Sequence, residues 1–505
     1  MARISGAIAA VAFVFTPFLA ICPAAALTPA AATDVRQTPA DSRFDAIRAE
    51  LRQLTEAGTV QSVSIGVLAD GRVVWAESFG WADREARRAP TVDTPYAIAS
   101  LGKAVTATAA LTLVQNGRLA LDRPVTDVLG ADAVRLSAGG QAPTLRQLLN
   151  MTGGVPHGAV TYRTSERPTD QAIETSRFIT VFPPGEVFHY SNFSIALVDA
   201  EIERASGAGF GDYLRDAVFA PLAMTHSVVG ASGAAAVRYL ENGERMGEIA
   251  PFPRSSRQIH SSLTDLLRFG AFHLGTPLRG QQAILSDDLR LAQQTERSGL
   301  PGAHMALGWA SLDIGEGRRW VIGSGNDMGA QATLILLPHA NVAVAVLINS
   351  SGYQSDELAI RTADAVAPGF AARAMAAAQA FEAHSRPFTT SPEWTGRWSG
   401  TIQTPSGPTP LTLEIRSDNS LQASIDGQPP RAIEGATLRE GLLTGATTGR
   451  LALEETPPDE HRIEFGLRRA DDRLTGFVLA NFPSARGKFE MPAFVSLRRI
   501  GATGL

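Results

Sequence analysis

A serine and a lysine three residues apart are the pair in this chain best suited to covalent chemistry. The chain has only two lysines, Lys103 and Lys488, among 45 basic residues, and Lys103 follows Ser100 in the run Ser100-Leu101-Gly102-Lys103. Arginine supplies nearly all of the positive charge, but a guanidinium cannot release its proton near neutral pH, whereas a lysine amine can. A buried amine can accept the serine proton and leave a nucleophilic oxygen. The pair therefore predicts acyl transfer with Ser100 as the nucleophile and Lys103 as its base.

This chemistry requires a helix that begins at the nucleophile. Residues 103–116 are rich in alanine, contain no proline and are followed by Gly117, which suits a helix end. Residues three apart on a helix face are about 5–6 Å apart between Cβ atoms, and a helix N-terminus favours negative charge nearby. The sequence thus predicts a helix that opens at Ser100 and places the Lys103 amine beside the hydroxyl.

A tyrosine and an asparagine are candidates for the remaining catalytic groups. Tyr190 and Asn192 follow a Pro-Gly turn and precede an apolar helical run at residues 195–205. A phenol can shuttle a proton to a leaving group, and an amide can donate to a substrate carbonyl or orient the lysine. A Tyr-x-Asn sequence alone is more typical of a surface loop, because asparagine is a common turn residue. Its occurrence together with the Ser-x-x-Lys pair favours the catalytic interpretation.

A third segment, residues 323–326, is glycine-rich and precedes a predicted strand. The three segments occur in the order seen in penicillin-recognising serine hydrolases. The chain resembles class C β-lactamase-like proteins, a group that includes penicillin-binding proteins, D-aminopeptidases and esterases. The resemblance covers residues 44–365 and extends to segments outside the three motifs, such as residues 148–154.

The resemblance implies a fold and a set of roles. The fold would be α+β, an antiparallel sheet flanked by helices, with an all-helical region inserted and the active site between them. In such enzymes the serine is acylated, the lysine and tyrosine manage its proton, and two backbone N–H groups, here of Ser100 and Asn326, form the oxyanion hole. No metal and no organic cofactor is expected. The implied catalytic residues are Ser100, Lys103 and Tyr190, and the implied substrate-binding residues are Asn192, Ser324, Gly325 and Asn326.

The chain departs from the family pattern at Gly323. Relatives usually have lysine or histidine there, and glycine has no side chain to bind a carboxylate or support the proton relay. Neutral esters or amides thus become better candidate substrates than β-lactams. Two alternatives stay open: a weakened protein that binds acyl or peptide ligands without turnover, and a true class C β-lactamase. His260, His189 and His157 are candidates to supply the missing group, although a histidine in such a position is more often structural.

Length and composition set the domain organisation. With 505 residues and 44% hydrophobic content, the chain is long enough for two domains. Residues 1–26 have the pattern of a secretory signal peptide, and residues 27–40 that of a disordered segment. We predict the hydrolase domain at residues 41–384. A linker at residues 385–392 would lead to an all-β, barrel-like domain at residues 393–505, which the resemblance identifies as lipocalin-like.

Charge and motif content argue against other function classes. The net charge is −5 and the arginines are scattered, which argues against nucleic-acid binding. The histidine and cysteine spacings of metal sites are missing, and after the signal no stretch is long and apolar enough for stable membrane insertion. Cleavage of the signal would remove Cys22 and leave no cysteine for disulfides. We therefore expect a periplasmic or secreted bacterial protein that acts on a small-molecule or peptide substrate.

Overall fold

A computed structural model describes residues 41–500, apart from residues 137–139, 163–177, 231, 248–249, 253–254, 301–302, 384, 405, 454–458 and 485–486. The predicted signal peptide at residues 1–26 and the predicted disordered segment at residues 27–40 lie outside the described residues. Among the helices within the described ranges, none is both long and apolar enough to cross a membrane.

The elements are as follows in chain order. The helices are α1 Asp45–Glu56, α2 Gly102–Gln115, α3 Thr126–Leu129, α4 Leu145–Leu149, α5 Asn192–Ser206, α6 Phe210–Leu214, α7 Leu263–Leu274, α8 Asp287–Thr295, α9 Ser355–Val366 and α10 Phe370–Glu382. The strands of the first part of the chain are β1 Ser62–Ala69, β2 Arg72–Gly80, β3 Tyr96–Ala97, β4 Arg135–Leu136, β5 Ala159–Tyr162, β6 Ile179–Thr180, β7 Val228–Val229, β8 Ala250–Phe252, β9 Ile259–Ser261, β10 Ala310–Asp313, β11 Arg319–Asp327, β12 Ala330–Leu337 and β13 Val342–Ile348. Those of the last part are β14 Ser385–Pro387, β15 Gly396–Thr404, β16 Gly407–Ile415, β17 Leu421–Ile425, β18 Arg431–Ala432, β19 Glu434–Arg439, β20 Leu442–Gly449, β21 His461–Ala470, β22 Arg473–Ser484 and β23 Gly487–Ile500.

A central antiparallel sheet organises the first part of the chain, with the strand order β10-β11-β12-β13-β1-β2. Every residue of β12 and β13 is buried, because helices cover both faces. Helix α7 covers the face of Leu334, since a Cβ at Gly270 of α7 would contact that side chain. Helix α9 covers the opposite face, where the Thr333 side chain forms a 2.8 Å hydrogen bond with Ser355. The predicted α+β fold, with helices around an antiparallel sheet, is confirmed.

The two hairpins that the sequence predicts are both present. Strands β1 and β2 are joined by Asp70 and Gly71, whose φ values of 49° and 72° match the mirror-image turn that suits the twist of a hairpin. Strands β12 and β13 are joined by a 3-10 turn at Pro338–Ala340. The late hairpin therefore closes the sheet against β1, next to the first hairpin.

Helix α2 is the buried axis of the helical region. It begins at Gly102, two residues after the predicted opening at Ser100, which lies in a 3-10 turn at Ala99–Leu101 that leads into the helix. Nearly all of its residues are buried, because small alanines and threonines allow close packing against α5. The buried Thr108 hydroxyl donates to the Ala104 carbonyl oxygen at 2.9 Å, so it needs no water.

The C-terminal sheet forms a curled half-barrel of antiparallel strands in the order β14-β19-β20-β21-β22-β23-β15-β16-β17-β18. The predicted all-β fold is confirmed, but the predicted linker at residues 385–392 is ordered at its start. Ser385–Pro387 form strand β14, which pairs with β19. This pairing joins residues far apart in sequence, so the local composition did not reveal it.

Glu201 of α5 provides a test of how this region is packed. Its side chain is 1% exposed, and burial, offset only in part by the charge of Arg123, raises the pKa of Glu201 to about 8. Between these two pKa values Glu201 is protonated in the native state and ionised in the unfolded state, where its pKa is about 4.5. The free energy of unfolding should therefore fall between about pH 5 and pH 8, by up to about 1.4 kcal/mol per pH unit.

Glu201→Gln should remove this dependence and raise the free energy of unfolding most at pH 8. Urea denaturation of both proteins at pH 6, 7 and 8 measures the difference. Parallel curves for the two proteins would show that Glu201 titrates normally.

Candidate active site

The backbone around Ser100 is strained and closely packed. Ala99 has a φ of 45°, in the left-handed region that residues with a Cβ rarely adopt. A Cβ at Gly102 would lie 2.4 Å from the carbonyl oxygen of Ser256. A Cβ at Gly325 of β11 would lie 2.1 Å from the carbonyl oxygen of Ile98. Small residues on both sides thus hold the serine turn between α2 and β11.

The side chains of both predicted motifs meet at Ser100. The hydroxyl oxygens of Ser100 and Tyr190 are 2.8 Å apart, and the Lys103 Nζ donates to Ser100 Oγ at 3.0 Å and to Asn192 Oδ1 at 2.8 Å. The Lys103 side chain is 3% exposed, and its Nζ lies 4.8 Å from the centre of the Tyr190 ring. The structure therefore brings together Ser100, Lys103, Tyr190 and Asn192 in one continuous hydrogen-bond chain.

The N-terminus of α5 positions the tyrosine and the asparagine. Ser191 is the N-cap: its hydroxyl accepts from the Ser194 N–H at 2.9 Å and donates to the Pro156 carbonyl oxygen at 2.8 Å. Asn192 is the first residue of the helix, three residues earlier than the predicted apolar run begins. The cap therefore fixes the residues on either side of it against the loop that contains His157.

The third segment lies on β11, where its residues alternate between the two faces of the sheet. The Ser324 hydroxyl donates to Asp356 of α9 at 2.8 and 3.0 Å, so it points away from Ser100. Burial raises the pKa of Asp356, and the hydrogen bonds from Thr333 and Ser324 oppose that effect. Only the backbone of Ser324 can therefore face a ligand on the Ser100 side.

The strand edge next to this segment is open for part of its length. Strand β10 pairs with β11 only from Arg319 to Ile322, so the residues that follow, including Gly325 and Asn326, extend beyond it. Asn326 is half-buried. The predicted roles of Gly325 and Asn326 in substrate binding remain predictions that this open edge accommodates.

Position 323 has no room for a cation. A Cβ at Gly323 would lie 2.3 Å from Leu101 Cδ1 and 3.0 Å from the Trp309 ring. Two buried apolar side chains thus occupy the space that a longer side chain would need, so lysine or histidine could not be introduced without displacing them. The packing around position 323 therefore matches the glycine that the sequence has there in place of the family's lysine or histidine.

Two of the candidate histidines are structural. His260 lies in β9 between β3 and β7, and burial together with the charge of Arg238 lowers its pKa to about 4. Burial, and the nearby charge of His157, lowers the pKa of His189 to about 3, and its ring packs 4.8 Å from that of Phe477. Both are neutral at pH 7, so neither replaces the missing cation.

The third candidate, His157, does lie at the site. Its ring centre is 5.8 Å from that of Tyr190. Its Nε2 is 3.4 Å from Oε2 of Glu490, a residue of the C-terminal sheet. Sequence reasoning missed Glu490. The scarcity of lysine could have pointed to this strand, because the second lysine, Lys488, lies two residues before it.

An ion cluster at the end of β11 was also missed. Asp327 Oδ2 lies 3.6 Å from Arg238 Nη1 and 3.5 Å from Arg257 Nη2. Burial alone would raise the pKa of Asp327, but the two guanidinium groups outweigh it and lower the pKa. The position of Asp327 directly after Asn326 was the one available signal. Across the described ranges, no group of three or more His, Cys, Asp or Glu side chains is placed to hold a metal ion.

Comparison with known proteins places this geometry in a family. The Beta-lactamase family model matches residues 47–367. The chain is 25% identical to Protein flp of Staphylococcus aureus (strain MRSA252) over 307 residues, which are 58% of this chain and 60% of that protein. It is 28% identical to Penicillin-binding protein 4 of Amycolatopsis lactamdurans over 339 residues, which are 61% of this chain and 84% of that protein. The chain thus spans 60% of the length of the first curated relatives that it matches.

Solved structures agree on the fold. The octameric penicillin-binding protein homologue from Pyrococcus abyssi has a TM-score of 0.54 and 21% identity, and the match covers 89% of this chain and 99% of that one. Class C β-lactamases and a D-amino acid amidase also share the fold. Since the family model matches most of the chain and the site residues meet as described, the chain belongs to the Beta-lactamase family.

Proposed function

We propose that this protein is a serine hydrolase that cleaves an ester or amide through an acyl-enzyme on Ser100. The hydrogen-bond chain from Tyr190 through Ser100 and Lys103 to Asn192 is the observation that carries the proposal. A nucleophile with two potential proton acceptors, one of them buried, is the arrangement that acyl transfer requires.

In the first step, Ser100 Oγ attacks the substrate carbonyl carbon while its proton passes to Tyr190 or Lys103. Both acceptors lie within hydrogen-bond distance of Oγ, so the proton moves without rearrangement of the site. Asn192 Oδ1 orients the Lys103 amine by accepting a hydrogen bond from it. The backbone N–H groups of Ser100 and Asn326 are the proposed donors to the carbonyl oxygen as it becomes negative.

The second half of the reaction regenerates the serine. Collapse of the tetrahedral intermediate breaks the bond to the leaving group, which takes that proton from the relay of Tyr190 and Lys103. A water molecule then attacks the acyl carbon and gives its proton to the same relay. Ser100 recovers its hydrogen as the carboxylic acid leaves, so the net reaction is hydrolysis.

The surroundings of position 323 favour neutral substrates. Buried Leu101 and Trp309 side chains fill the space beside Gly323, so position 323 offers no cation to a substrate carboxylate. Esters and amides without a carboxylate next to the scissile bond fit this better than penicillins do. The predicted signal peptide supports action outside the cytoplasm.

The role of Lys103 as a base can be separated from its charge. Lys103→Arg should slow acylation of Ser100 nearly as much as Lys103→Met, by about 10²–10⁴-fold, because a guanidinium cannot accept the proton. Stopped-flow measurement of p-nitrophenol release from p-nitrophenyl acetate gives the rates. Near-normal turnover in the arginine variant would reduce Lys103 to an electrostatic role.

Covalent labelling tests the substrate class. Intact-protein mass spectrometry should show one fluorophosphonate adduct on the wild type, none on Ser100→Ala, and little or no adduct or turnover with benzylpenicillin. Efficient cephalosporin hydrolysis would support a true β-lactamase instead. Absence of fluorophosphonate labelling, of ester turnover and of lactam turnover would support the ligand-binding alternative.

A further inference from the structure

A backbone pairing joins the C-terminal sheet to the catalytic part of the chain. Strand β23 pairs antiparallel with β5, in a register that sets Glu490 opposite Ala159 and Lys488 opposite Thr161. Strand β5 pairs in turn with β8. Because β5 begins two residues after His157, this register determines which side chains of β23 lie beside the active site.

Apolar contacts reinforce the pairing. One buried cluster contains residues from both sides of the junction: Ile179, Val181, Phe182, Val187, Phe477, Leu479 and Phe494. At the edge of the junction, Arg468 Nη1 of the C-terminal sheet lies 3.0 Å from Glu186 Oε2. The segment before Tyr190 is therefore packed directly against the C-terminal sheet, which holds the two parts in a defined relation.

Glu490 is a buried and ionised carboxylate. Its side chain is 3% exposed, Oε1 accepts from Lys488 Nζ at 3.0 Å, and Oε2 is 3.4 Å from His157 Nε2. Burial alone would raise the pKa of Glu490, but the hydrogen bond and charge of His157, with the charge of Lys488, outweigh it and lower the pKa. The carboxylate therefore lies against the edge of the His157 ring.

His157 connects this carboxylate to the relay tyrosine. The centre of the His157 ring lies 5.8 Å from the centre of the Tyr190 ring. The Tyr190 hydroxyl oxygen in turn lies 2.8 Å from Ser100 Oγ. Among the residues that the structure describes, the other charged or titratable groups around this region include Lys488 on β23, His189 beside Tyr190, Lys103 over the Tyr190 ring, and Arg257, which donates to the Val160 carbonyl oxygen of β5.

We propose that Glu490 is a positioning residue for acyl transfer, which holds the His157 ring beside Tyr190. A ring fixed there helps to keep the Tyr190 oxygen within hydrogen-bond distance of Ser100 Oγ, where it takes part in moving the Ser100 proton as the Oγ–carbon bond forms. The C-terminal sheet thereby contributes to the positioning of the active site. This inference rests on the proposed acyl-enzyme function.

The test is the rate of Ser100 acylation in the full-length chain. Rates of fluorophosphonate labelling are measured from pH 5.5 to 9.5 for the wild type, Glu490→Gln, Glu490→Asp and His157→Gln. The control is Glu414→Gln, the same change at a 42% exposed residue of the C-terminal sheet. Thermal unfolding of each variant is recorded in parallel.

Loss of the carboxylate should release the His157 ring from its place beside Tyr190. We expect labelling of Glu490→Gln to be about tenfold slower at pH 8, because the proton relay through Tyr190 is then less well positioned. Glu490→Asp should restore part of the rate, His157→Gln should be slowed about as much as Glu490→Gln, and Glu414→Gln should match the wild type.

The outcomes separate the two proposals. A wild type that is not labelled at any pH would refute the acyl-enzyme function, and this inference with it. A labelled wild type whose labelling rate is unchanged in both Glu490→Gln and His157→Gln would overturn the inference alone, even if the melting temperature falls. If Glu490→Gln does not fold, the labelling rate of His157→Gln decides.

Discussion

The burial of the Lys103 amine is the constraint on which the rest of the site depends. Removing an amine from water is costly unless hydrogen bonds replace those to water. Its two acceptors, Ser100 Oγ and Asn192 Oδ1, come from the starts of two different helices. Helices α2 and α5 must therefore pack closely, which the small side chains of α2 allow. The strain at Ala99 and the absence of a Cβ at Gly325 follow from the same need to hold the serine turn in place.

The parts of this site that could be predicted from the sequence are those that depend on local geometry. The three-residue spacing of Ser100 and Lys103 indicates a shared helix face, and α2 begins two residues from the predicted position. Asp70 and Gly71 require positive φ in a two-residue turn, so the first hairpin was evident. The contact of Tyr190 and Asn192 with that pair came from the family pattern, since no local rule joins α5 to α2.

The features that could not be predicted depend on contacts between distant segments. Whether Ser324 faces the cleft or α9 depends on which face of β11 each helix covers, and the motif does not contain that information. The packing of Trp309 and Leu101 against Gly323 likewise appears only once the sheet is assembled. The same holds for strand β14 within the predicted linker and for the contact of Glu490 with His157, which depends on the register of β23 against β5.

The pairing of β5 with β23 also limits how this chain can have evolved. A β domain joined only by a linker could be gained or exchanged by recombination at that linker, leaving the catalytic part intact. Here the exchanged piece would have to present a strand edge in register with β5 and an apolar patch facing residues 179–187. The catalytic part and the C-terminal sheet are therefore fitted to each other. A chimera with a related β domain would have a poorly matched interface next to Tyr190.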